Sequence, residues 1–296
     1  MKNWNKRGLA IKVNNNVPGW KSHAMVPTPC HIENSIWRIY FGARNEYNQS
    51  QIGYVTLDLN YPDQVIETHT HPILTPGRLG TFDDNGVLPS CCIVEENRSL
   101  MYTIGFKPGG TTRMDLFGGL ATSLDGENFE RWSESPILER NRINPFINTA
   151  PWVIKINEQY IMYYVSGVEW LNKDLPRYNI QIAHSSDGLE WKREGVVAID
   201  FVDGENALAR PYVIYEKGLY HMWFSSKGEA YKAKYATSSD GINWTRSSDF
   251  EFYGDLEGVD DEMVCYPVVI LTNNQKFMFY NGNGYGIDGI CLAIEE

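Results

Sequence analysis

WNKRGLAI, residues Trp4 to Ile11, stands near the head of the chain, and a near copy, WKREGVVAI, returns at Trp191 to Ile199. The internal copy follows an Asp-Gly turn and reads as the outermost strand of a repeated unit. The first copy has no unit in front of it, so it has to complete a unit elsewhere. The last repeat offers the place: after KFMFYNGNGYG it has a third strand, GICLAIEE, and reaches Glu296 without a fourth. Trp4 to Ile11 is therefore expected to pair with that repeat and cover an otherwise open sheet edge.

The repeats themselves are marked by three stretches, TSLDGENFERW from Thr122, HSSDGLEWKREG from His184 and TSSDGINWTRSS from Thr237. Each reads Ser-x-Asp-Gly-x-x-aromatic after a short β-type run, and Asp-Gly between two such runs signals a hairpin because glycine accepts positive φ at no steric cost. Asp125, Asp187 and Asp240 lie 62 and 53 residues apart and serve as rulers. Upstream of the hairpins, paired apolar runs such as APWVIKINEQYIMYYVSG, ARPYVIYEKGLYHMWFSS and YPVVILTNNQKFMFYNG raise the count to four strands per repeat. Weaker copies, VPTPCHIENSIWRIYFGAR and LPSCCIVEENRSLMYTIG, bring the number of repeats to five, each of roughly 60 residues. The expected fold is all-β: a five-bladed β-propeller with four antiparallel strands per blade, its ring closed by the N-terminal strand. It forms one domain over 1–296, with blades near 22–78, 82–140, 144–201, 205–252 and 260–296 plus 4–13. A pair of β-sandwiches with coincidental repeats is the alternative.

Composition narrows the partners. A hydrophobic fraction of 43% over 296 residues supports a large core, and a formal net charge of −11 works against a phosphate-backbone partner, which needs clustered Lys and Arg. No nucleic acid is expected. The first 20 residues contain no apolar run of signal-peptide length, and no stretch approaches the roughly 18 apolar residues of a spanning helix. The expected location is the cytoplasm. Cys30, Cys91, Cys92, Cys265 and Cys291 form an odd set without metal-ligand spacing and read as free thiols.

Propeller topology then separates two faces. The innermost strand of each blade starts at one face of the ring, the connection between the second and third strands returns there, and the Asp-Gly hairpins lie on the other. Aligned on their innermost strands, Arg210-Pro211, Tyr266-Pro267 and Ala150-Pro151 coincide. Five residues before the first two come Glu205 and Asp261, and NGVLPSCCIVE puts Asp84 and Asn85 at the matching point of the second blade. Three acids at the mouth of a channel are a candidate catalytic group, because clustered carboxylates are costly unless they share protons or bind a ligand. The plain alternative is three acids capping turns in solvent. The third blade has Pro145 at this point, and the first has Ser22 and His23.

The connections on the same face carry Arg44, Arg113, Trp170, Arg177 and Tyr178. NGNGYG adds Asn281, Asn283 and Tyr285, and Arg210 lies on an innermost strand. With His23, these are the candidate substrate-binding residues. Aromatic faces with Asn and Arg donors suit a sugar, whose CH faces stack while its hydroxyls take directed hydrogen bonds. The other histidines read as packed residues, and no His/Cys/Asp grouping has metal spacing.

Five repeats, the Ser-x-Asp-Gly turns, the endings HPIL at His71 and SPIL at Ser135 and acids at the inner-strand mouths resemble the five-bladed propeller glycoside hydrolases. That superfamily includes arabinanases, β-xylosidases, invertase-like enzymes and mannoside phosphorylases, and the likeness covers nearly the whole chain. It implies three central carboxylates acting as base, pKa-tuning acid and proton donor, usually from the first three blades. Asp84 fits that pattern, whereas Glu205 and Asp261 come from blades four and five. On this reading the protein is a glycosidase-like enzyme with Glu205 as proton donor, Asp84 as base and Asp261 holding their pKa values apart. Its substrate is a small glycan or glycoconjugate. No organic cofactor is expected, and a central divalent cation is left open. Phosphorolysis or glycosyl transfer would need Arg44, Arg113, Arg177 or Arg210 to hold an anion. A carbohydrate-binding propeller without catalysis, and a scaffold for protein partners, are the alternatives from other classes.

Overall fold

The computed structural model describes residues 3–250 and 252–296. The chain opens with β1 (Trp4–Lys12) and continues through β2 (Ser22–Glu33), β3 (Ile36–Arg44), β4 (Ser50–Asp58) and β5 (Val65–Thr68). A second group follows as β6 (Val87–Val94), β7 (Ser99–Pro108), β8 (Met114–Ser123) and β9 (Glu130–Arg131), and a third as β10 (Asn148–Ile156), β11 (Gln159–Asn172), β12 (Leu175–Ser185) and β13 (Lys192–Ile199). The fourth is β14 (Ala207–Glu216), β15 (Leu219–Lys227), β16 (Tyr231–Ser238) and β17 (Thr245–Arg246), and the last holds β18 (Cys265–Thr272), β19 (Gln275–Asn281) and β20 (Gly289–Glu295). Consecutive strands within each group pair antiparallel, as hairpin connections dictate. The second, third and fourth groups are joined by single parallel bridges, Asn148 to Phe117 and Tyr178 to Ala207.

β1 pairs antiparallel with β20, Trp4 opposite Glu295 and Lys12 opposite Gly289. The last group thus has four strands, ordered β1-β20-β19-β18. The innermost strands touch in chain order, β2 to β6 to β10 to β14 to β18, and β18 also touches β2. Asn281 fastens that last contact: its Nδ2 donates to the carbonyls of Ala24 and Gly289, and its Oδ1 accepts the N–H of Val26. Burial grades outward within each group. β2 is buried from His23 to Cys30 and β5 is almost wholly exposed, so the inner strands carry the buried runs and the outermost ones face solvent.

The Ser-x-Asp-Gly turns are identical devices. In each, the serine hydroxyl donates to the Asp carboxylate and accepts the Gly N–H, as between Ser185, Asp187 and Gly188. The same carboxylate oxygen accepts two further N–H groups, those of Leu189 and Glu190. Gly188 adopts φ 75°, which only glycine takes without strain. Its carbonyl then receives the hydroxyl of Tyr102 from the preceding group at 2.8 Å, and Gly241 receives Tyr163 at 2.9 Å. The motif therefore builds a turn and ties neighbouring groups together.

Candidate functional site

A cavity of about 340 Å³ opens where the innermost strands begin, and its walls come from the connections between second and third strands. Its floor is made by a recurring backbone feature. Val26, Ala150, Arg210 and Tyr266 all have positive φ, between 48° and 58°, each immediately before a proline. The pairing register slips at each of these points, so the strand bulges and re-aims the side chain. Left-handed backbone at a residue other than glycine costs on the order of 1 kcal/mol or more, and such strain gathers at functional sites. All four residues line the cavity.

Tyrosines form one wall. The hydroxyls of Tyr178 and Tyr231 are 2.6 Å apart, the rings of Tyr266 and Tyr285 stack at 6.4 Å, and Tyr231 meets Tyr285 edge-on. Burial holds the Tyr231 and Tyr266 hydroxyls well above their ordinary pKa, so both remain neutral donors. Arg44, Arg113, Lys227 and Arg210 bring positive charge, and among the lining residues the one carboxylate is Asp174, at the turn between β11 and β12.

The cavity unites five of the expected binding residues: Arg44, Arg113, Tyr178, Arg210 and Tyr285. The others have different places. Arg177 pairs with Glu169 at 2.8 Å and covers the Phe201 ring, while Trp170 lies further along the hairpin, opposite Pro176. Asn281 is the buried fastener described above, and Asn283 accepts the N–H groups of Glu262 and Met263. Lys227, Tyr231, Tyr266 and Asp174 were not among the expected residues. Tyr266 occupies the position aligned with Arg210 and was within reach of that alignment.

Asp84, Glu205 and Asp261 are not among the residues that line the cavity. Asp84 accepts the Gly80 N–H at 2.8 Å and lies 3.3 Å from the Lys107 ammonium. Asp261 accepts the Gly258 N–H and the Asn283 amide. Glu205 receives the fork of Arg246 at 2.8 and 2.9 Å and the Ser226 hydroxyl. Burial pushes the Glu205 pKa up, but bonds from Arg246, Ser226 and the Val202 N–H outweigh it and hold the carboxyl below its ordinary value. This pair is one of three alike. Asp83 pairs with Arg131 at 2.7 Å and Asp260 with Lys6 at 2.8 Å, in each case an acid just before an inner strand and a cation on the outer strand of the same group. In the third group Asn144 substitutes, bonded to Ser166 and Gln181.

His23 is 8% exposed at the start of β2, bonded to the Ser22 hydroxyl at 2.7 Å. Burial, with the charge of Arg44, lowers its pKa to about 4 against the opposing pull of Asp288, so the ring is neutral at pH 7. An unfolded histidine takes a proton near pH 6.5 and the folded one does not, so the folded state loses stability as pH falls from 6.5 toward 4. The loss is on the order of 3 kcal/mol. Below that window, carboxylates held low in the fold, such as Glu205 and Asp260, add their own losses. Denaturant titrations at stepped pH should show the decline, to which His69 and His221, also held low by burial, contribute, and His23→Asn, which tolerates the φ of 64°, should make it shallower. An unchanged slope in the variant would assign the decline to other groups.

Among the described residues, no cluster of three or more His, Cys, Asp or Glu side chains is placed to hold a metal ion, and no helix is long and apolar enough to cross a membrane. All five cysteines are free.

No family model matches the chain. The uncharacterized protein Rv1502 of Mycobacterium tuberculosis (strain H37Rv) is 36% identical over 302 residues, covering 99% of both chains, and the uncharacterized protein MT1551 of strain CDC 1551 is 35% identical over the same span. Among solved structures, BT0996 in its RGII complex superposes with a TM-score of 0.79 at 20% identity, covering 100% of this protein and 92% of that one. A thermostable family-43 glycoside hydrolase gives 0.71 at 19%, covering 93% and 90%. A glycosyl hydrolase from Bacteroides ovatus gives 0.72 at 12%, covering 99% and 93%. The all-β architecture is that of the propeller glycoside hydrolases.

Proposed function

The chain belongs to one family with the uncharacterized protein Rv1502 of Mycobacterium tuberculosis, and we propose that its glycoside hydrolase fold serves as a carbohydrate-binding pocket at the centre of a five-bladed propeller. The five groups of strands are the blades of one domain, and Trp4–Lys12 closes the ring beside Gly289–Glu295. The cyclic contacts of the inner strands and the pairing of β1 with β20 support this. The ligand is a small glycan or glycoconjugate. Tyr178, Tyr231, Tyr266 and Tyr285 offer ring faces to its CH groups and hydroxyls to its oxygens. Five free thiols suit the reducing cytoplasm.

One observation carries the non-hydrolytic form of this reading. The innermost strands face the cavity with Met25, Val26, Leu88, Thr149, Ala150, Ala209, Arg210 and Tyr266, none of them a carboxylate. Most glycosidases hydrolyse their bond between two flanking carboxyls, whereas Asp84, Glu205 and Asp261 are bonded outside this cavity. Calorimetric titration with neutral mono- and disaccharides should give saturable binding that Tyr231→Ala or Tyr266→Ala removes and that Asp84→Asn, Glu205→Gln and Asp261→Asn retain. A glycoside that is turned over by the native chain and no longer by one of the three amide variants, with binding kept, would restore the hydrolase reading. A second reading, glycosyl transfer or phosphorolysis, draws support from the fold and from Asp174, the carboxylate of the cavity wall. It requires Asp174→Asn to lower turnover by orders of magnitude while ligand still binds.

A further inference from the structure

Arg210 is a buried cation without an anion. Its side chain is among the largest fully buried ones, at 1% exposure, and its Nη2 donates to the Pro27 carbonyl at 3.0 Å and the Thr28 hydroxyl at 2.9 Å. Nε and Nη1 have no partner, and the guanidinium carbon lies 5.4 Å from the Trp152 ring centroid. A guanidinium removed from water and not neutralised is costly, and two unmade hydrogen bonds add to the cost. Three other sheltered cations are neutralised, Lys6 by Asp260, Arg131 by Asp83 and Arg246 by Glu205. Arg193 on β13 is half-buried without an ion pair among the described residues and, unlike Arg210, lies on an outer strand away from the cavity. Burial lowers the pKa of Arg210 to about 10, which leaves it charged at neutral pH.

The same omission extends over the cavity. Arg44 is bonded to the neutral Asn48 side chain at 3.0 Å, and Lys227 stands 5.4 Å from the Tyr231 ring centroid. Among the described residues, Arg44, Arg113, Lys227 and Arg210 form no ion pair, although acids outnumber Lys and Arg by 37 to 26 in the whole chain. Asp174, the one lining carboxylate, is 3.9 Å from Lys173 and largely exposed at its turn. Four lining cations without a carboxylate partner, in an acidic protein, leave the cavity with an excess positive field that its low-dielectric walls focus.

We infer that the cavity contains an oxyanion subsite, so that the carbohydrate it takes carries a phosphate or carboxylate group, held by Arg44, Arg113 and Lys227 above the un-neutralised charge of Arg210. The inference rests on the carbohydrate reading above and narrows its ligand class. Charge-assisted bonds to an oxyanion are roughly twice as strong as neutral ones, and guanidinium forks match phosphate and carboxylate geometry. Phosphate and carboxylate share this chemistry, and the probes separate them.

The test is calorimetry on the full chain with glucose, glucose 1-phosphate, glucuronate and inorganic phosphate. The expected result is that glucose 1-phosphate or glucuronate binds at least about ten-fold tighter than glucose. A preference for the phosphate or for the carboxylate then names the group, and either supports the subsite. Arg113→Gln and Lys227→Gln should each reduce the ratio of charged to neutral affinity by about five-fold or more. Arg210→Met also removes the bonds to Pro27 and Thr28, so the wall variants decide the matter even where that variant does not fold. Equal affinity for glucose and both charged sugars, or a ratio untouched by the wall variants, overturns the subsite and leaves the carbohydrate reading standing. Inorganic phosphate bound with no sugar of any kind supports the subsite and overturns the carbohydrate reading. Binding of none of the four probes overturns both.

Discussion

A chain shortened by its first 12 residues loses its cooperative unfolding transition. Within that segment Ile11 is fully buried, Trp4 meets Phe252 edge-on at 6.3 Å and Leu9 packs on the core. Each such side chain is worth about 1.5–3 kcal/mol when fully buried. Ile11 in full and the partly buried Trp4 and Leu9 in part, with the Lys6 to Asp260 ion pair, amount to several kcal/mol, a large share of the ~5–15 kcal/mol margin of a domain. The backbone adds to this. β20, whose Ile290, Cys291, Leu292 and Ala293 are fully buried, becomes an open edge, and an apolar edge strand recruits other chains. Circular dichroism melts and size-exclusion chromatography should show a broad or absent transition and aggregated protein. A synthetic peptide of residues 1–12 should restore part of the transition when added in trans. A shortened chain that melts as sharply and as high as the full one would refute the closure of the ring by β1.

Lys6→Met destabilises the fold by about 3–5 kcal/mol, because it leaves one charge of a buried pair without its partner. Asp260 is fully buried, and its other bonds come from the N–H groups of Asp255 and Leu256 and the Tyr280 hydroxyl. Burial pushes this carboxyl up, and Lys6, the Leu256 N–H and Tyr280 pull it further down, so the ionised form is the one the fold accommodates. In Asp260→Asn the side-chain oxygen still accepts both N–H groups, so the double variant Lys6→Met with Asp260→Asn should recover a substantial part of the loss. Lys12→Met, on the same strand and exposed, should change stability by no more than about 0.5 kcal/mol. Denaturant unfolding of the four chains and the native protein closes the cycle. A Lys6→Met cost under about 1 kcal/mol, or no coupling in the cycle, would show that the pair does not hold β1 in place.

The fold was largely readable because its information is local. Alternating apolar runs, Asp-Gly turns at recurrent spacing and an unmatched strand at each end of the chain specify strands and their neighbours without reference to distant contacts. The pairing of Trp4–Lys12 with Gly289–Glu295 spans almost the full chain, yet it follows from counting strands per repeat. The division into faces was readable too: five of the expected binding residues, Arg44, Arg113, Tyr178, Arg210 and Tyr285, line one cavity.

The destination of each polar side chain was decided only by the tertiary structure. Asp83 and Asp84 are neighbours, as are Asp260 and Asp261, and nothing in FDDNG or VDDEM says which acid of each pair turns inward. In the folded chain Asp83 and Asp260 are buried, because cations on strands far away in sequence, Arg131 and Lys6, wait for them there. Glu205, alone at its position, meets Arg246 in the same way. A one-residue change of phase in a loop moves a carboxylate from one environment to another, and sequence alignment of strand starts does not resolve that phase. The charge of the cavity was hidden for the same reason. Whether Arg210 has a counter-ion depends on what four other inner strands place around it, and only their convergence leaves its guanidinium beside Trp152, Pro27 and Thr28 with no acid among them.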